Sequence, residues 1–212
     1  MKKLLLFDFD GVIVDSLELY EEISRRCLEE TGKQIIKDRE DFLSLFDDNF
    51  YEAMRQNGVD VRAFNRAVER LIPQVDYNRI VPFFDLIPIF EKLRKENILV
   101  IISSNSLAAI KKIISKYRFD QYFEEVLGAD FMFSKIDKIK YALEKWNFSR
   151  DDTYFIGDTL GDMKEAKMAG VRTVGVTWGW HPRERLEKAG ADFLLDTPDE
   201  LLVLADSVGE DD

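Results

Sequence analysis

Short apolar runs set the frame of this chain: Leu4–Phe7, Ile98–Ile102, Thr153–Ile156, Val171–Val176 and Phe193–Leu195. They are near-continuous rather than alternating, as in strands buried on both faces of a parallel sheet. Longer segments with helical spacing lie between them. Ile110, Ile113, Ile114 and Tyr117 recur on one face after Ser106, which reads as an N-cap. Tyr141, Leu143 and Trp146 belong to a second such segment, and Ala166 and Ala169 to a third that Gly170 closes. This alternation predicts an α/β fold with a mostly parallel sheet.

The pattern breaks between residues 16 and 80. That stretch has no convincing strand and is rich in helix formers, with helices predicted at Leu17–Glu30, Glu40–Asn57 and Val61–Leu71. The expected organisation is an α/β core of residues 1–15 and 81–212, interrupted by an all-helical domain at 16–80. Pro73, Pro82 and Pro88 punctuate the return path, and the acidic end Glu210–Asp212 is expected to fray.

Composition narrows the partners. The 212 residues are 46% hydrophobic and 33% charged, with a formal net charge of -11. A polyanion such as DNA, or an acidic membrane, needs concentrated Lys and Arg, so neither is an expected partner. A small phosphorylated metabolite needs only a few local positive groups. Cys27 is the only cysteine, so no intrachain disulfide and no Cys-based zinc cluster can form. It reads as a buried helix residue. The run at Leu4–Phe7 is too short for a signal peptide, and no run reaches a membrane span, so the expected setting is the cytoplasm.

In open parallel sheets ligands sit at the carboxyl ends of the strands. The first run ends in Asp8-Phe9-Asp10-Gly11. A carboxylate there can act as a nucleophile and a second can exchange a proton with a leaving oxygen, although an Asp-Gly turn alone would look the same. The second run ends in Ser103-Ser104-Asn105-Ser106, a phosphate cradle or simple helix capping. The Gly157–Asp162 segment sets Asp158 and Asp162 at a helix start. With Asp8 they would form an all-oxygen site suited to magnesium, or they serve only the helix dipole. Lys135, with Lys138 close behind, lies in an expected loop before the helix around Tyr141, placed to neutralise a phosphoryl group or simply solvated.

Taken in order, these motifs resemble the haloacid dehalogenase-like superfamily over essentially the whole chain, specifically its phosphoglycolate phosphatase-like branch. Asp8–Gly11 matches the family's Asp-x-Asp-Gly, Ser103 its strand-end Ser/Thr, Lys135 its lysine, and Gly157–Asp162 its Gly-Asp-x-x-x-Asp. Ala169-Gly170-Val171, Val176-Thr177-Trp178-Gly179-Trp180 and Ala191-Asp192-Phe193 are similar to the same branch. Lys135 precedes Ile136 where many members have proline, which keeps Lys138 as a substitute, and Val12 replaces a common Thr.

The resemblance implies a Rossmann-like core with a small helical cap, and a magnesium-dependent phosphatase. Asp8 would form an aspartyl-phosphate, and Asp10 would protonate the leaving alkoxide and then activate water. Asp8, the Asp10 carbonyl and Asp158 would hold magnesium, with Asp162 supporting from behind. Ser103 and Lys135 would bind phosphoryl oxygens, joined by Ser104 and Asn105. Asp10 makes dehalogenase or phosphonatase chemistry unlike this chain, since those members lack an acid there. The alternatives are a sugar-phosphate mutase, or a non-catalytic binding protein on the same scaffold. Phosphoglycolate leads as substrate by resemblance alone, with Glu18, Tyr20, Glu21, Arg25 or the later arginines of the helical segment as cap residues that could face it. His181, the only histidine, is expected at the surface, and the tryptophans are expected to pack under the catalytic face. No heptad seam demands a partner, so a monomer suffices.

Overall fold

The computed structural model describes residues 2–205. The acidic end Glu210–Asp212 lies outside the described residues. Strand β1 (Leu4–Phe7) is fully buried, and after a tight turn the two-residue β2 (Val14–Asp15) leads out of the core. Four helices follow: α1 (Leu17–Glu30), α2 (Arg39–Ser44), α3 (Phe50–Gln56) and α4 (Val61–Leu71). The chain returns through β3 (Val81–Pro82), paired antiparallel with β2, into α5 (Leu86–Leu93).

From there strand and helix alternate: β4 (Ile98–Ile102), α6 (Leu107–Tyr117), β5 (Glu125–Leu127), α7 (Lys135–Trp146), β6 (Thr153–Gly157), α8 (Leu160–Ala169), β7 (Arg172–Val176), α9 (Arg183–Lys188) and β8 (Phe193–Leu195). The sheet is parallel in the order β5-β4-β1-β6-β7-β8. The expected α/β class and parallel sheet are therefore present, with β1 at the centre between β4 and β6.

The apolar runs are explained by the two faces they fill. Leu4 and Leu6 point with Val100, Ile102 and Phe155 to one face, where Ile139, Ala142 and Ala166 of α7 and α8 cover them. Leu5 and Phe7 point to the other with Ile101 and Ile156, under Phe90, Ile110 and Ile113. Phe7 and Phe90 meet edge-on at 5.3 Å between ring centroids, a favourable aromatic arrangement. Ser106 caps α6 as expected, accepting from the Ala109 N–H, and Gly170 closes α8 with φ 81°. Cys27 is buried in α1, and burial pushes its thiol up to about 11.

Three expectations need correction. The helix expected over Glu40–Asn57 is interrupted between α2 and α3, because Asn49 bonds the Tyr51 and Glu52 N–H groups and so starts a new helix. The edge strand β5 escaped the pattern because it is only three residues long and half-buried. Lys135 is not in a loop. Ser134 caps the helix, and Lys135 is the first residue of α7.

No helix among the described residues is long and apolar enough to cross a membrane. Because Phe90 is fully buried at the centre of the aromatic cluster, Phe90→Ala should cost about 3–5 kcal/mol, read as a lower urea midpoint with an unchanged slope.

Candidate active site

Segments distant in sequence meet at the carboxyl ends of β1, β4 and β6. Asp8 follows β1 directly and is 6% exposed. Its Oδ1 accepts the Phe9 N–H at 2.7 Å and its Oδ2 accepts from Lys135 Nζ at 2.8 Å. The chain then turns back, with the Gly11 N–H donating to the Val14 carbonyl. Gly11 has φ 79°, and a Cβ there would run into the Asp158 carboxylate and Trp180. The turn therefore requires glycine twice over, for conformation and for space.

Asp10 stands on this turn. Its Oδ1 accepts from Ser16 Oγ at 2.8 Å, and its Oδ2 accepts from Asn105 Nδ2 at 3.4 Å. Ser16 sits at the N-terminus of α1 yet makes no side-chain cap there; its hydroxyl is committed to Asp10. Asn105 also donates to the Tyr20 hydroxyl of α1. The side chain of Asn105 thus faces Asp10, while Ser104 lines the open cavity. Ser103 is buried, and its hydroxyl accepts the Asn105 N–H at 3.0 Å.

Asp158 and Asp162 complete the group. Carboxylate oxygens of Asp8, Asp158 and Asp162 all lie within 4.8 Å of one another. Asp162 forms a capping box with Thr159 at the start of α8, and its Oδ1 accepts from Lys135 Nζ at 2.5 Å. Asp158 Oδ2 accepts the Trp180 N–H at 2.7 Å, whereas its Oδ1 is buried with no hydrogen-bond partner. An unpaired buried carboxylate oxygen is costly unless something positive meets it. That orphan, in an all-oxygen cluster, fits a hard divalent cation such as magnesium.

The two lysines separate cleanly. Lys135 reaches the acids, while Lys138 is fully buried and donates to the Ser103 carbonyl at 2.6 Å. Burial, then the neighbouring Lys135, pulls Lys138 down to about 8. Burial also opposes the Lys135 charge, but Asp162 and Asp8 outweigh it and hold the ammonium protonated.

His181 contradicts the surface expectation. It is 1% exposed, its Nδ1 accepts the Leu160 N–H at 3.0 Å, and its Nε2 donates to the Leu43 carbonyl at 2.9 Å. Its backbone N–H donates to the Asp158 carbonyl. The ring links α2 to the first turn of α8, beside the acids. A lone His between Trp180 and Pro182 gives no sequence signal of this, because both partners are backbone groups of distant segments. Trp180 stands on the cavity wall against Phe42 and Phe46, and Trp178 Nε1 donates to the Val12 carbonyl.

Residues 5–176 match the haloacid dehalogenase-like hydrolase family. The chain belongs to that family. It is 28% identical over 203 residues to a phosphoglycolate phosphatase of Synechococcus elongatus, covering 93% of this chain and 94% of that one. It is 27% identical over 208 residues to the pyrophosphatase PpaX of Listeria monocytogenes, with 94% of each chain covered. The fold superposes with a TM-score of 0.80 on a haloacid dehalogenase-like family hydrolase from Streptococcus pneumoniae, at 19% identity and covering 95% and 97% of the two chains. The protein is a phosphatase of the haloacid dehalogenase-like family, in its phosphoglycolate phosphatase-like branch.

The acids of this phosphatase carry shifted pKa values with traceable causes. Burial raises Asp8 to about 7 against the opposing pull of Lys135, and nearby Asp162 raises it further. Burial raises Asp10 to about 6, with the Ser16 and Asn105 hydrogen bonds pulling the other way. Burial followed by repulsion from Asp162 and Asp8 pushes Asp158 well above the carboxylate range. A folded pKa above the unfolded value means that the native state binds more protons, so stability is lost as pH rises through that folded value. Without divalent metal, the unfolding midpoint should therefore fall by several degrees between pH 5 and pH 8, and Asp8→Asn should flatten the slope, as measured by differential scanning fluorimetry. His181→Ala should cost about 1–3 kcal/mol in urea unfolding by stranding the Leu160 N–H and the Leu43 carbonyl.

Proposed function

We propose that this phosphatase hydrolyses a small phosphomonoester with magnesium through an aspartyl-phosphate on Asp8. The observation that carries the reading is the buried triad Asp8, Asp158 and Asp162, in which Asp158 Oδ1 has no hydrogen-bond partner. Asp8, the Asp10 carbonyl and Asp158, with Asp162 in support, would hold Mg2+, which supplies charge neutralisation and orientation of the phosphoryl group.

The protein's own side chains account for the bond changes. An Asp8 carboxylate oxygen attacks phosphorus, and the ester oxygen leaves with the bonding pair. Asp10 gives that oxygen its proton, a role suited to a carboxyl that stays protonated up to about 6. A water molecule then attacks the aspartyl-phosphate, losing a proton to Asp10 and restoring Asp8. Lys135 keeps Asp8 oriented for attack, and both it and the Ser103 hydroxyl would bind phosphoryl oxygens. Ser104 adds a polar group at the cavity wall, while Asn105 and Ser16 fix the rotamer of Asp10. Residues 16–80 act as a cap over the core formed by 1–15 and 81–212, with the β2–β3 pair as the crossing between them. Phosphoglycolate is the substrate suggested by similarity to the Synechococcus enzyme.

Hydrolysis of 4-nitrophenyl phosphate tests this reading. Turnover should require Mg2+ and disappear in Asp8→Asn, while Asp10→Asn should lower kcat by about 10²–10⁴-fold. Turnover no greater than the Asp8→Asn background, across several divalent metals, would refute it.

A further inference from the structure

Asp8, Asp10, Asp162 and Lys135 line part of a cavity of about 390 Å3, a size that takes a drug-like ligand. Much of the remaining wall is apolar, and several of its residues are aromatic. Phe46, Phe50, Tyr51 and Phe64 enter it from the helical segment, Trp180 from the core, and Phe133 from the loop before α7. Phe46 stacks on Phe50 at 4.9 Å and meets Trp180 edge-on at 4.9 Å; Tyr51 meets Phe133 edge-on at 5.5 Å. Rings that served only as a helical core would be covered on all sides. Instead Phe46, Phe50 and Tyr51 are half-buried and Phe133 is 60% exposed.

Charge on the same wall is one-sided. Among the described residues lining the cavity, Lys135 is the one cation, and it is bound to Asp8 and Asp162. Glu69 and Asp130 add acids to the lining, and Asp48 adds one that Lys164 pairs. Of the cap residues that sequence offered for substrate contact, only Tyr20 lines the cavity. Arg25 is turned away onto Glu21 and the Ile36 carbonyl. A second carboxylate or phosphate on the substrate would thus meet acids and rings with no cation to pair it, a costly desolvation.

We propose that the alcohol released by this phosphatase is a bulky, uncharged aromatic group without a second anion. This substrate class rests on the phosphomonoesterase reading above and departs from phosphoglycolate. Flat apolar groups are what aromatic walls bind without leaving polar groups unpaired, and the acidic rim selects against anionic competitors.

The test compares Mg2+-dependent kcat/KM for benzyl phosphate, phosphoglycolate, inorganic pyrophosphate and choline phosphate. Benzyl phosphate and phosphoglycolate both release a primary alkoxide, so their ratio reports the cavity wall more than leaving-group reactivity. Benzyl phosphate should be favoured by about tenfold or more over each of the others. Asn65→Arg, which puts a cation on the cavity wall from α4, should raise phosphoglycolate relative to benzyl phosphate by about tenfold. Phosphoglycolate or pyrophosphate equal to or better than benzyl phosphate would overturn the proposal, as would preference for choline phosphate or an unmoved ratio in Asn65→Arg. In each of those cases the phosphatase reading would stand. Absence of Mg2+-dependent turnover of 4-nitrophenyl phosphate would instead remove both.

Discussion

The bridge from Lys135 Nζ to Asp8 and Asp162 is the contact on which the site is built. Placing Asp8, Asp158 and Asp162 together, nearly free of water, is unfavourable, because each carboxylate is desolvated and repels the next. The lysine offsets part of this by contacting two of the three, and Trp180 supplies one backbone N–H to the third. What remains uncompensated is concentrated on Asp158 Oδ1. Sheet order makes the cluster possible: with β1 between β4 and β6, the ends that carry Asp8, Ser103 and Asp158 are neighbours, although their residues are far apart in sequence.

The helical segment is tied to this centre by backbone groups as much as by side chains. The Gly161 N–H donates to the Phe46 carbonyl at 2.8 Å, close to where His181 bonds the Leu43 carbonyl. Any Cβ at Gly161 would collide with the Phe46 and Asp48 carbonyls, so the segment can approach α8 only over a glycine. Ion pairs from Lys164 to Asp48 and from Arg185 to Glu40 surround these bonds, but they are solvent-exposed and contribute little stability of their own. The interruption between α2 and α3 places the Phe46 carbonyl there, which an unbroken helix would have used internally.

Chemistry and selectivity are divided between two kinds of surface. Strand ends and the first turns of α7 and α8 supply the charged groups, held by hydrogen bonds to backbone and to one another. The helices supply rings, which carry no charge and need no fixed partner. Tyr20 joins the two, because its hydroxyl meets Asn105 while α1 belongs to the helical segment. Directly through Ser16, and by way of Asn105 through Tyr20, the position of α1 bears on Asp10.

The sequence by itself determined the sheet strands with continuous apolar runs, helices α1 and α4, the family and the order of its motifs. Those features are local: a run of Leu and Ile buries on two faces wherever it pairs, and Asp-x-Asp-Gly turns as its glycine allows. It could not decide between Lys135 and Lys138, since both lie near the start of α7 and only the direction of the helix sends one to Asp8 and the other to the Ser103 carbonyl. Nor could it bury His181, whose partners are carbonyl and N–H groups present in every residue and therefore invisible in side-chain identity. Only the tertiary structure separated the inward-facing Phe46 and Phe50 from an ordinary helical core. Their role depends on what lies opposite them, and those residues come from the far half of the chain.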